Sequence, residues 1–269
     1  MAKNLDIVVC GAGGRMGTAV VRAVARAAGM SLVGAIDKPG SARLGKDAGE
    51  ISGAGNLGIT LSDAIEPYLS PGTVIIDFTR PEASLDYLRA AAKEAVPIVI
   101  ATTGFDPRQT TEIKRLARRT PALLSANTSL GVNVLVSLLG NVAKMLGDDY
   151  DVEIVEAHHR FKKDAPSGTA LALGRVIAGA LNRKLEQVGI HGRKGIAGQR
   201  SKKEIALLSV RAGDIVGDHT VIFGGIGERL EFIHRAHSRD TFAQGAIRAA
   251  QWLADQKPGL YGMQDVLGF

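Results

Sequence analysis

The sequence has almost no cysteine: Cys10 is the only one in 269 residues. A single thiol cannot form a disulfide within the chain, so a secreted fold held by internal disulfides is excluded. The N-terminal stretch MAKNLDIVVCGAGG runs straight into an apolar, strand-like segment and lacks the layout of a signal peptide. We therefore expect a cytoplasmic protein in which Cys10 is a small, buried core residue.

Long apolar runs are scarce as well. Arg, Lys, Asp or Gly interrupts each apolar stretch, so no segment is expected to span a bilayer. The net charge of +6 raises the question of nucleic-acid binding. The densest basic segment, HGRKGIAGQRSKK at 191–203, has no aromatic side chain for base stacking. A solvated loop is the favoured interpretation of that segment, and neither nucleic acid nor a membrane is expected as a partner.

Apolar residues and glycine are abundant. Hydrophobic residues make up 45% and charged residues 22% of the chain, which is typical of a globular protein. The length suits one large domain or two ordinary ones. The 33 glycines are more than average usage predicts, so their positions need an explanation.

The first half alternates apolar strand patterns with helical ones. Nearly continuous apolar strands joined through helices predict a parallel sheet covered on both faces, and the right-handed crossover rule favours a doubly wound, Rossmann-type α/β domain. The expected strands are 5–10, 30–37, 73–78, 97–103 and 121–127, and the expected helices lie near 15–28, 81–95 and 107–119.

The pattern changes after residue 130. A long amphipathic helix at 131–146, a strand at 151–159 and a helix near 168–182 come first, and strand patterns at 204–211, 219–225 and 227–236 follow with short connections. Short connections containing glycine indicate antiparallel pairing, so we expect an α+β domain with an open mixed or antiparallel sheet. The predicted domains are 1–129, onto which 240–269 packs back, and 130–239.

A glycine-rich turn links the first strand to the first helix. In VVCGAGGRMG, Gly11, Gly14 and Gly17 are three residues apart, which allows a tight turn and the approach of a pyrophosphate to a helix N-terminus. Asp37 follows the second strand, where an acid accepts a hydrogen bond from a ribose hydroxyl. Lys38 can bind the 2′-phosphate of NADP, so Asp37 and Lys38 together indicate tolerance of both nicotinamide cofactors.

Three further segments lie where parallel strands end. They are DFTRPE at 77–82, ATTGF at 101–105 and SANTS at 125–129. Doubly wound sheets bind their ligands at this edge, so these segments are candidate ligand loops.

The stretch EAHHRFKKDAPSGTA at 156–170 concentrates positive charge just before a helix start. A metal site is disfavoured because His158 and His159, adjacent on a strand, point to opposite faces. A nucleic-acid patch or a solvated loop leaves the following acid and helix start unexplained. An anion site explains them: Lys162 supplies charge, and Ser167, Gly168 and Thr169 offer backbone N–H groups and hydroxyls at a helix N-terminus.

The run EIVEAHHRFKKDAPSGTA at 153–170 resembles the signature of the 4-hydroxy-tetrahydrodipicolinate reductase family, also called dihydrodipicolinate reductase. The segments GAGGRMG, DFTRPE, TTGF and VRAGDIVGDHTVIF resemble this family too, so the likeness covers nearly the whole chain. It implies a dinucleotide-binding domain, a substrate and tetramerisation domain, and NAD(P)H-dependent reduction in the diaminopimelate route to lysine. Its implied partners are a small cyclic dicarboxylate and three further copies of the chain.

The resemblance also assigns residues by motif position. His158 would be the proton donor and acceptor, Lys162 a second proton donor, and His159, Gly168 and Thr169 carboxylate ligands. The cofactor would contact Gly11, Ala12, Gly13, Gly14, Arg15, Met16, Asp37, Lys38, Ala101, Thr102, Thr103, Ser125, Ala126, Asn127 and Thr128. Two positions depart from the family pattern: Ala101 stands in place of a glycine, and Thr128 in place of a bulkier Phe or Met.

Two alternatives stay open at this point. One is another two-domain dehydrogenase of amino-acid metabolism, although no cysteine is placed as a thioester nucleophile and the HHRFKKD–PSGT cluster would go unexplained. The other is a basic, nucleotide-sensing nucleic-acid binder without enzymatic activity. Oxidation of NADH in the presence and absence of the cyclic dicarboxylate separates both from the reductase.

Overall fold

The computed structural model describes residues 4–269, and the chain divides into two compact units. The first unit holds the described residues up to Leu130 together with Arg239–Phe269, and the second is Gly131–Ser238. The first has a parallel sheet flanked by helices and the second a mixed sheet, which confirms the predicted fold class.

The first unit is built on seven strands whose paired neighbours all run parallel, in the order β12-β6-β5-β4-β1-β2-β3. The strands are β1 Leu5–Cys10, β2 Met30–Ile36, β3 Leu61–Ser62, β4 Thr73–Asp77, β5 Ile98–Ile100, β6 Pro121–Leu124 and β12 Gly259–Tyr261. The helices are α1 Arg15–Arg26, α2 Ala48–Ser52, α3 Pro81–Glu94, α4 Pro107–Leu116, α8 Asp240–Leu253 and α9 Met263–Leu267, with a 3₁₀ turn at Glu66–Tyr68.

Alternate residues of the central strands fill two separate cores. On β1, Ile7 and Val9 pack into a core that includes buried residues of α1 and α8. Val8 and Cys10 belong to the opposite core, which includes buried residues of α3 and α4. Because successive strand side chains point to opposite faces, a strand buried on both faces must be apolar throughout. Cys10 is fully buried and unpaired, as expected from its place in the apolar run.

The second unit has a five-stranded sheet in the order β11-β10-β7-β9-β8. Its strands are β7 Asp151–His158, β8 Gly189–Ile190, β9 Ile205–Arg211, β10 Gly217–Gly224 and β11 Arg229–Ala236. Its helices are α5 Leu130–Leu146, α6 Gly168–Ala180 and α7 Leu185–Val188, with a 3₁₀ turn at Gly147–Asp149.

Strand β7 lies at the centre of this sheet, so the three last strand patterns do not form one antiparallel set. β10 pairs antiparallel with β11 and with β7, whereas β9 pairs parallel with β7 on its other side. The expected neighbours β9 and β10 are therefore separated by β7. The five residues between them cross over β7. A short connection normally indicates a hairpin of adjacent strands, so this crossover was not predicted.

Helices cover one face of this sheet. Leu139 and Ala143 of α5 and Leu173 and Ile177 of α6 pack against alternate residues of β7, β9 and β10 in one buried core. The opposite face carries the cross-strand row Leu208, Val155, Thr220 and Ile233, in which the first three are half-buried and Ile233 is exposed. Within this unit, that face has no helix packed on it.

Helix α5 is long and apolar. Over Leu130–Asp149 the helix has a mean hydropathy of 1.5 and is long and apolar enough, by length and composition, to cross a membrane. It passes this test although Gly131, Gly140, Lys144 and Gly147 interrupt the apolar sequence. One such helix is weak evidence for a membrane span, since a helix that packs on a protein core passes the same test.

Candidate active site

The glycine turn between β1 and α1 is closed by backbone contacts that leave no room for side chains. The N–H of Gly14 donates to the carbonyl of Gly11 at 2.8 Å. A Cβ on Gly17 would lie 2.0 Å from the same carbonyl oxygen, and one on Gly13 would lie 2.3 Å from a carboxylate oxygen of Asp37. Gly11 has a φ of +77°, which L side chains rarely adopt. The turn therefore requires glycine for steric and conformational reasons.

Asp37 is fixed in place directly beside this turn. Its Oδ1 accepts the backbone N–H of Lys38 at 2.9 Å, and its Oδ2 accepts the Ser41 hydroxyl at 2.8 Å. A carboxylate has about four acceptor positions, so further capacity is left for a ribose hydroxyl.

Two cavities open around these residues. One of about 680 Å³ contains Gly11, Gly14, Asp37 and Lys38 in its wall. Its remaining lining is Pro39, Asp63, Ile65, Glu66, Phe78, Thr79, Arg80, Glu82, Ala83, Asp86 and Tyr87. The other, of about 550 Å³, is lined by Gly13, Gly14, Arg15, Thr18, Asp37, Lys38, Ser41, Arg43 and Ile51. A glycine cradle at a helix start, an acid, and adjoining space are the features that a dinucleotide needs, so these residues fit NAD(P)H.

Sequence reasoning did not assign most of the lining of the larger cavity. It singled out DFTRPE as a strand-end segment but carried none of its residues into the site. Phe78, Thr79 and Arg80 all line the cavity, and Tyr87 of α3 faces it too. Their position after β4, at the carboxyl edge of the sheet, is the signal that could have selected them. Ser41 and Arg43, a few residues after Asp37, carried no comparable signal.

A buried polar cluster ties the loop after β4 to the loop after β5. Asp77 is fully buried and accepts hydrogen bonds from the hydroxyls of Thr79 at 2.6 Å, Thr102 at 3.2 Å and Ser84. Burial raises the pKa of Asp77, while these hydroxyl contacts oppose the rise. The Thr102 side chain thus points into the cluster, and its assignment to the cofactor remains a prediction.

The other predicted cofactor residues follow β5 and β6. Ala101, Ser125 and Asn127 are half-buried, and Thr103 and Ala126 are exposed. Thr128 is buried, and its hydroxyl donates to the carbonyl of Phe242 at 2.7 Å. Neither cavity described above includes these two loops in its wall.

In the second unit, His158 belongs to a hydrogen-bonded network of charged side chains. Its Nδ1 lies 2.5 Å from Oε2 of Glu156, which is fully buried two residues earlier on β7. Arg211 donates to both oxygens of Glu156, each at 2.8 Å. Burial would raise the pKa of Glu156, but hydrogen bonds led by that of Arg211 lower it to about 2. Burial lowers the pKa of His158, and Glu156 opposes this.

His219 of β10 packs on the same cluster. Its ring meets that of His158 edge-on, with the centroids 5.3 Å apart, and its Nε2 lies 3.1 Å from the Ser167 hydroxyl. Burial, followed by the charge of His158, lowers the pKa of His219 to about 3. His219 is therefore neutral near pH 7, and sequence reasoning did not single it out.

Lys162 and His159 lie in the segment that follows β7. Lys162 Nζ donates to Asp164 at 2.9 Å, and only 21% of its side chain is exposed. His159 is half-buried, and its Nδ1 has no hydrogen-bond partner among the described residues.

At the start of α6, Ser167 is hydrogen-bonded within the unit, whereas Gly168 is exposed to solvent. The Ser167 hydroxyl caps the helix by accepting the N–H of Ala170 at 3.1 Å, and the Ser167 N–H donates to Glu156 at 3.1 Å. Both groups of Ser167 are thus engaged within the unit, although it was predicted to face substrate. Gly168 is exposed, with no atom near the position that a Cβ would take. Thr169 is half-buried beside it.

The comparisons with known proteins agree across the whole chain. Residues 5–128 match the family model described as dihydrodipicolinate reductase, N-terminus, and residues 131–267 match its C-terminus. The 4-hydroxy-tetrahydrodipicolinate reductase of Syntrophus aciditrophicus (strain SB) is 54% identical over 98% of this chain and 99% of its own. That of Thiobacillus denitrificans (strain ATCC 25259 / T1) is 50% identical over the same shares.

A solved structure shares the fold. Dipicolinate-bound dihydrodipicolinate reductase from Paenisporosarcina sp. TG-14 gives a TM-score of 0.74 at 23% identity and covers 97% of this chain and 98% of its own. At 23% identity, this similarity shows that the two chains share a fold.

Proposed function

The chain belongs to the dihydrodipicolinate reductase family, and we propose from that premise that it reduces 4-hydroxy-tetrahydrodipicolinate, by way of dihydrodipicolinate, to tetrahydrodipicolinate. The reaction is a step of the diaminopimelate route to lysine. The observation that carries the proposal is the cluster around His158, in which a histidine with a buried carboxylate partner adjoins a cationic segment and a helix start. A proton donor beside an anion site suits the reduction of a cyclic dicarboxylate.

The nicotinamide cofactor supplies a hydride, and the protein supplies binding, orientation and a proton. In the first unit, the glycine turn lets the pyrophosphate bind at the N-terminus of α1, and Asp37 accepts a hydrogen bond from a ribose hydroxyl. Phe78, Thr79 and Arg80 line the larger cavity, and we assign them to the adenosine end of the cofactor.

In the second unit, the substrate carboxylates bind where positive charge and backbone donors meet. Lys162 is the cation, Gly168 and Thr169 stand at the positive end of α6, and His159 contributes a ring nitrogen. Asp164 holds the ammonium of Lys162. We place Ser167 behind these ligands, where it supports the helix start.

His158 transfers the proton. The hydroxylated ring first loses water to give dihydrodipicolinate, which then gains one hydride and one proton. A group that donates the proton as electron density builds lowers the barrier of this second step. A histidine suits this task because its pKa lies closer to neutrality than those of other side chains. Lys162 stabilises the developing negative charge and serves as a second proton donor.

Both NADH and NADPH serve as reductant in this proposal. Lys38, Arg15 and Arg43 line the smaller cavity next to Asp37, and three cations there offset the repulsion between its carboxylate and a 2′-phosphate. Arg43 is exposed at the wall of this cavity, so its guanidinium is accessible to such a phosphate.

We further propose a cytoplasmic homotetramer assembled through the second units. The row Leu208, Val155, Thr220 and Ile233 gives the helix-free face an apolar strip, and a second copy of the same sheet covers it symmetrically.

A coupled assay tests the activity. Pyruvate and aspartate semialdehyde are condensed by a purified synthase to the cyclic dicarboxylate, and NADH or NADPH absorbance is followed after the protein is added. We expect oxidation only with the complete mixture and a rate at least about a hundredfold lower with His158→Gln. Oxidation of NADH without the dicarboxylate, or with a linear keto acid alone, would point to a different dehydrogenase.

A further inference from the structure

Glu156 and His158 form a buried pair on one face of β7. They are two residues apart, so their side chains lie on the same side of the strand. Glu156 is 0% exposed and His158 9%. The 2.5 Å separation between Oε2 and Nδ1 is a short, charge-assisted hydrogen bond. The pair is therefore a fixed unit rather than two independent side chains.

Arg211 sets the orientation of the carboxylate. The parallel pairing of β7 with β9 places Arg211 directly opposite His158. From there its guanidinium holds both oxygens of Glu156 and also donates to the carbonyl of Asp164 at 2.7 Å. The Ser167 N–H adds a donor to Oε1. A bidentate arginine and a backbone amide leave the carboxylate little freedom to turn.

We infer that Glu156, clamped by Arg211, is a positioning residue that keeps a proton on Nδ1 of His158 and so makes Nε2 the atom that exchanges the catalytic proton. The inference rests on the proposed function and names the proton-transfer atom and its support. An ionised carboxylate can only accept, so the nitrogen facing it must be the donor. A histidine oriented in this way is protonated and deprotonated at its other nitrogen.

Gly217 keeps space beside that other nitrogen. A Cβ at Gly217 would lie 3.1 Å from Nε2 of His158, which is tighter than nine in ten such contacts, so the ring would have to shift. Gly217 begins β10 and has no left-handed backbone that would by itself require glycine. The room next to Nε2 therefore accounts for the missing side chain.

The groups around His158 predict how its titration responds to loss of Glu156. Glu156 favours the imidazolium, Lys162 and Arg211 disfavour it, and the His219 ring packs edge-on against it. Without the carboxylate charge, the imidazolium loses its anionic partner and keeps both cations. The pKa of His158 then falls, and since a proton donor must be protonated, activity is lost at a lower pH than before.

The test compares Glu156→Gln with Glu153→Gln in pH profiles of kcat. Glu153 lies on the same strand and is bound by Arg193 and Arg200 instead, so it controls for the loss of an arginine-paired acid. We expect Glu156→Gln to lower kcat by at least about tenfold and to move the alkaline limb to lower pH, with KM changed less than kcat. Glu153→Gln leaves both unchanged. An alkaline limb that does not move with Glu156→Gln overturns the inference.

Two further measurements separate positioning from a merely structural role. If Glu156 acts through His158, the double variant Glu156→Gln/His158→Gln is no slower than His158→Gln alone, whereas multiplied losses overturn the inference. In ¹⁵N-histidine-labelled protein, the neutral His158 ring should carry its proton on Nδ1. A proton on Nε2 overturns the inference even if Glu156→Gln does not fold. This spectrum needs no turnover, so failure of the proposed reaction is distinguishable from failure of the positioning role.

Discussion

At the scale of single residues, the two adjacent histidines have different surroundings. His158, the last residue of β7, is buried against Glu156, whereas His159 leaves the strand and is half-buried. Successive side chains point in different directions at this strand end, so one ring can be held by a buried acid while its neighbour lies in another environment. Their chemistry should separate in the same way.

Removal of the proton donors should affect the chemical step. We expect His158→Gln and Lys162→Ala each to lower kcat by about a hundredfold or more, because acid–base groups contribute 10²–10⁴-fold. His159→Gln should instead raise KM more than it lowers kcat, because we assign His159 to carboxylate binding. Steady-state kinetics and direct NADH titration measure these effects. Near-normal kcat in His158→Gln would remove the catalytic assignment, and loss of NADH binding in Lys162→Ala would assign the segment to the cofactor.

Cofactor choice is also a residue-scale property. We expect kcat/KM for NADH and NADPH to agree within roughly tenfold, about 1.4 kcal/mol, because the proposal assigns Asp37 to the ribose of NADH and the neighbouring cations to the 2′-phosphate of NADPH. Arg43→Ala should lower kcat/KM for NADPH and leave that for NADH nearly unchanged. Lys46→Ala removes an exposed cation outside both cavities and is the control. A hundredfold preference in the wild type, in either direction, would contradict this interpretation.

His219 should make the second unit sensitive to acid. Its pKa is about 3 in the fold and about 6.5 in an unfolded chain, so the unfolded state binds the proton more readily. The stability that neutral His219 contributes is complete above pH 6.5 and is lost as pH falls toward 3. Between pH 6.5 and 5 the loss is about 2 kcal/mol.

His219→Gln removes this titration and retains a group that can meet the Ser167 hydroxyl. The drop in melting temperature between pH 7 and pH 5 should therefore be smaller in His219→Gln than in the wild type. His237→Gln changes an exposed histidine and should keep the full drop. Equal drops in the two variants would show that acid sensitivity arises elsewhere.

At the scale of elements, the turn from β1 into α1 depends on backbone packing. Gly17→Ala would bring a methyl group to 2.0 Å from the Gly11 carbonyl oxygen, so the turn must open. We expect lost NADH binding together with a lower melting temperature. Gly179→Ala is the matched control, because this helix position in α6 has no atom within 4 Å and alanine favours helix. Calorimetric NADH titration measures binding, and normal affinity in Gly17→Ala would exclude the turn from the site.

Local patterns predicted the elements well, but they could not predict their neighbours. The strands of the first unit are readable because buried parallel strands are apolar on both faces, as in TVIID of β4. β12 was missed because GLY at 259–261 is short and only partly buried, and its pairing with β6 depends on contacts far along the chain. The central place of β7 was missed for the same reason.

The candidate site shows the same division. The glycine turn and the EAHHRFKKDAPSGTA stretch are contiguous, so spacing and charge identify them. The partners of His158 are harder to find: Arg211 lies 53 positions further along the chain, and only the register of β7 with β9 brings it to Glu156. Residues that act through another residue leave no compact motif, so the support of the site becomes visible only in three dimensions.

At the scale of the whole molecule, the helix-free face of the second unit should govern assembly. We expect sedimentation to show a homotetramer at micromolar concentration. Ile233→Arg, which adds charge to the exposed end of the apolar row, should yield smaller species. Ile226→Arg alters a fully exposed residue in the turn after β10 and should leave the tetramer intact. A wild-type monomer would refute the proposed assembly.

The segment Arg239–Phe269, which completes the first unit, has a consequence for biosynthesis. Helix α8 supplies buried residues such as Ala246 and Leu253 to the same core as α1. A ribosome must therefore translate the entire second unit before the nucleotide-binding core can close. Chains released after residue 238 should contain a folded second unit beside an unfinished first one, the reverse of the usual N-terminal-first order. The only tryptophan, Trp252, packs against Tyr261 in this late segment, so its fluorescence would time the closure.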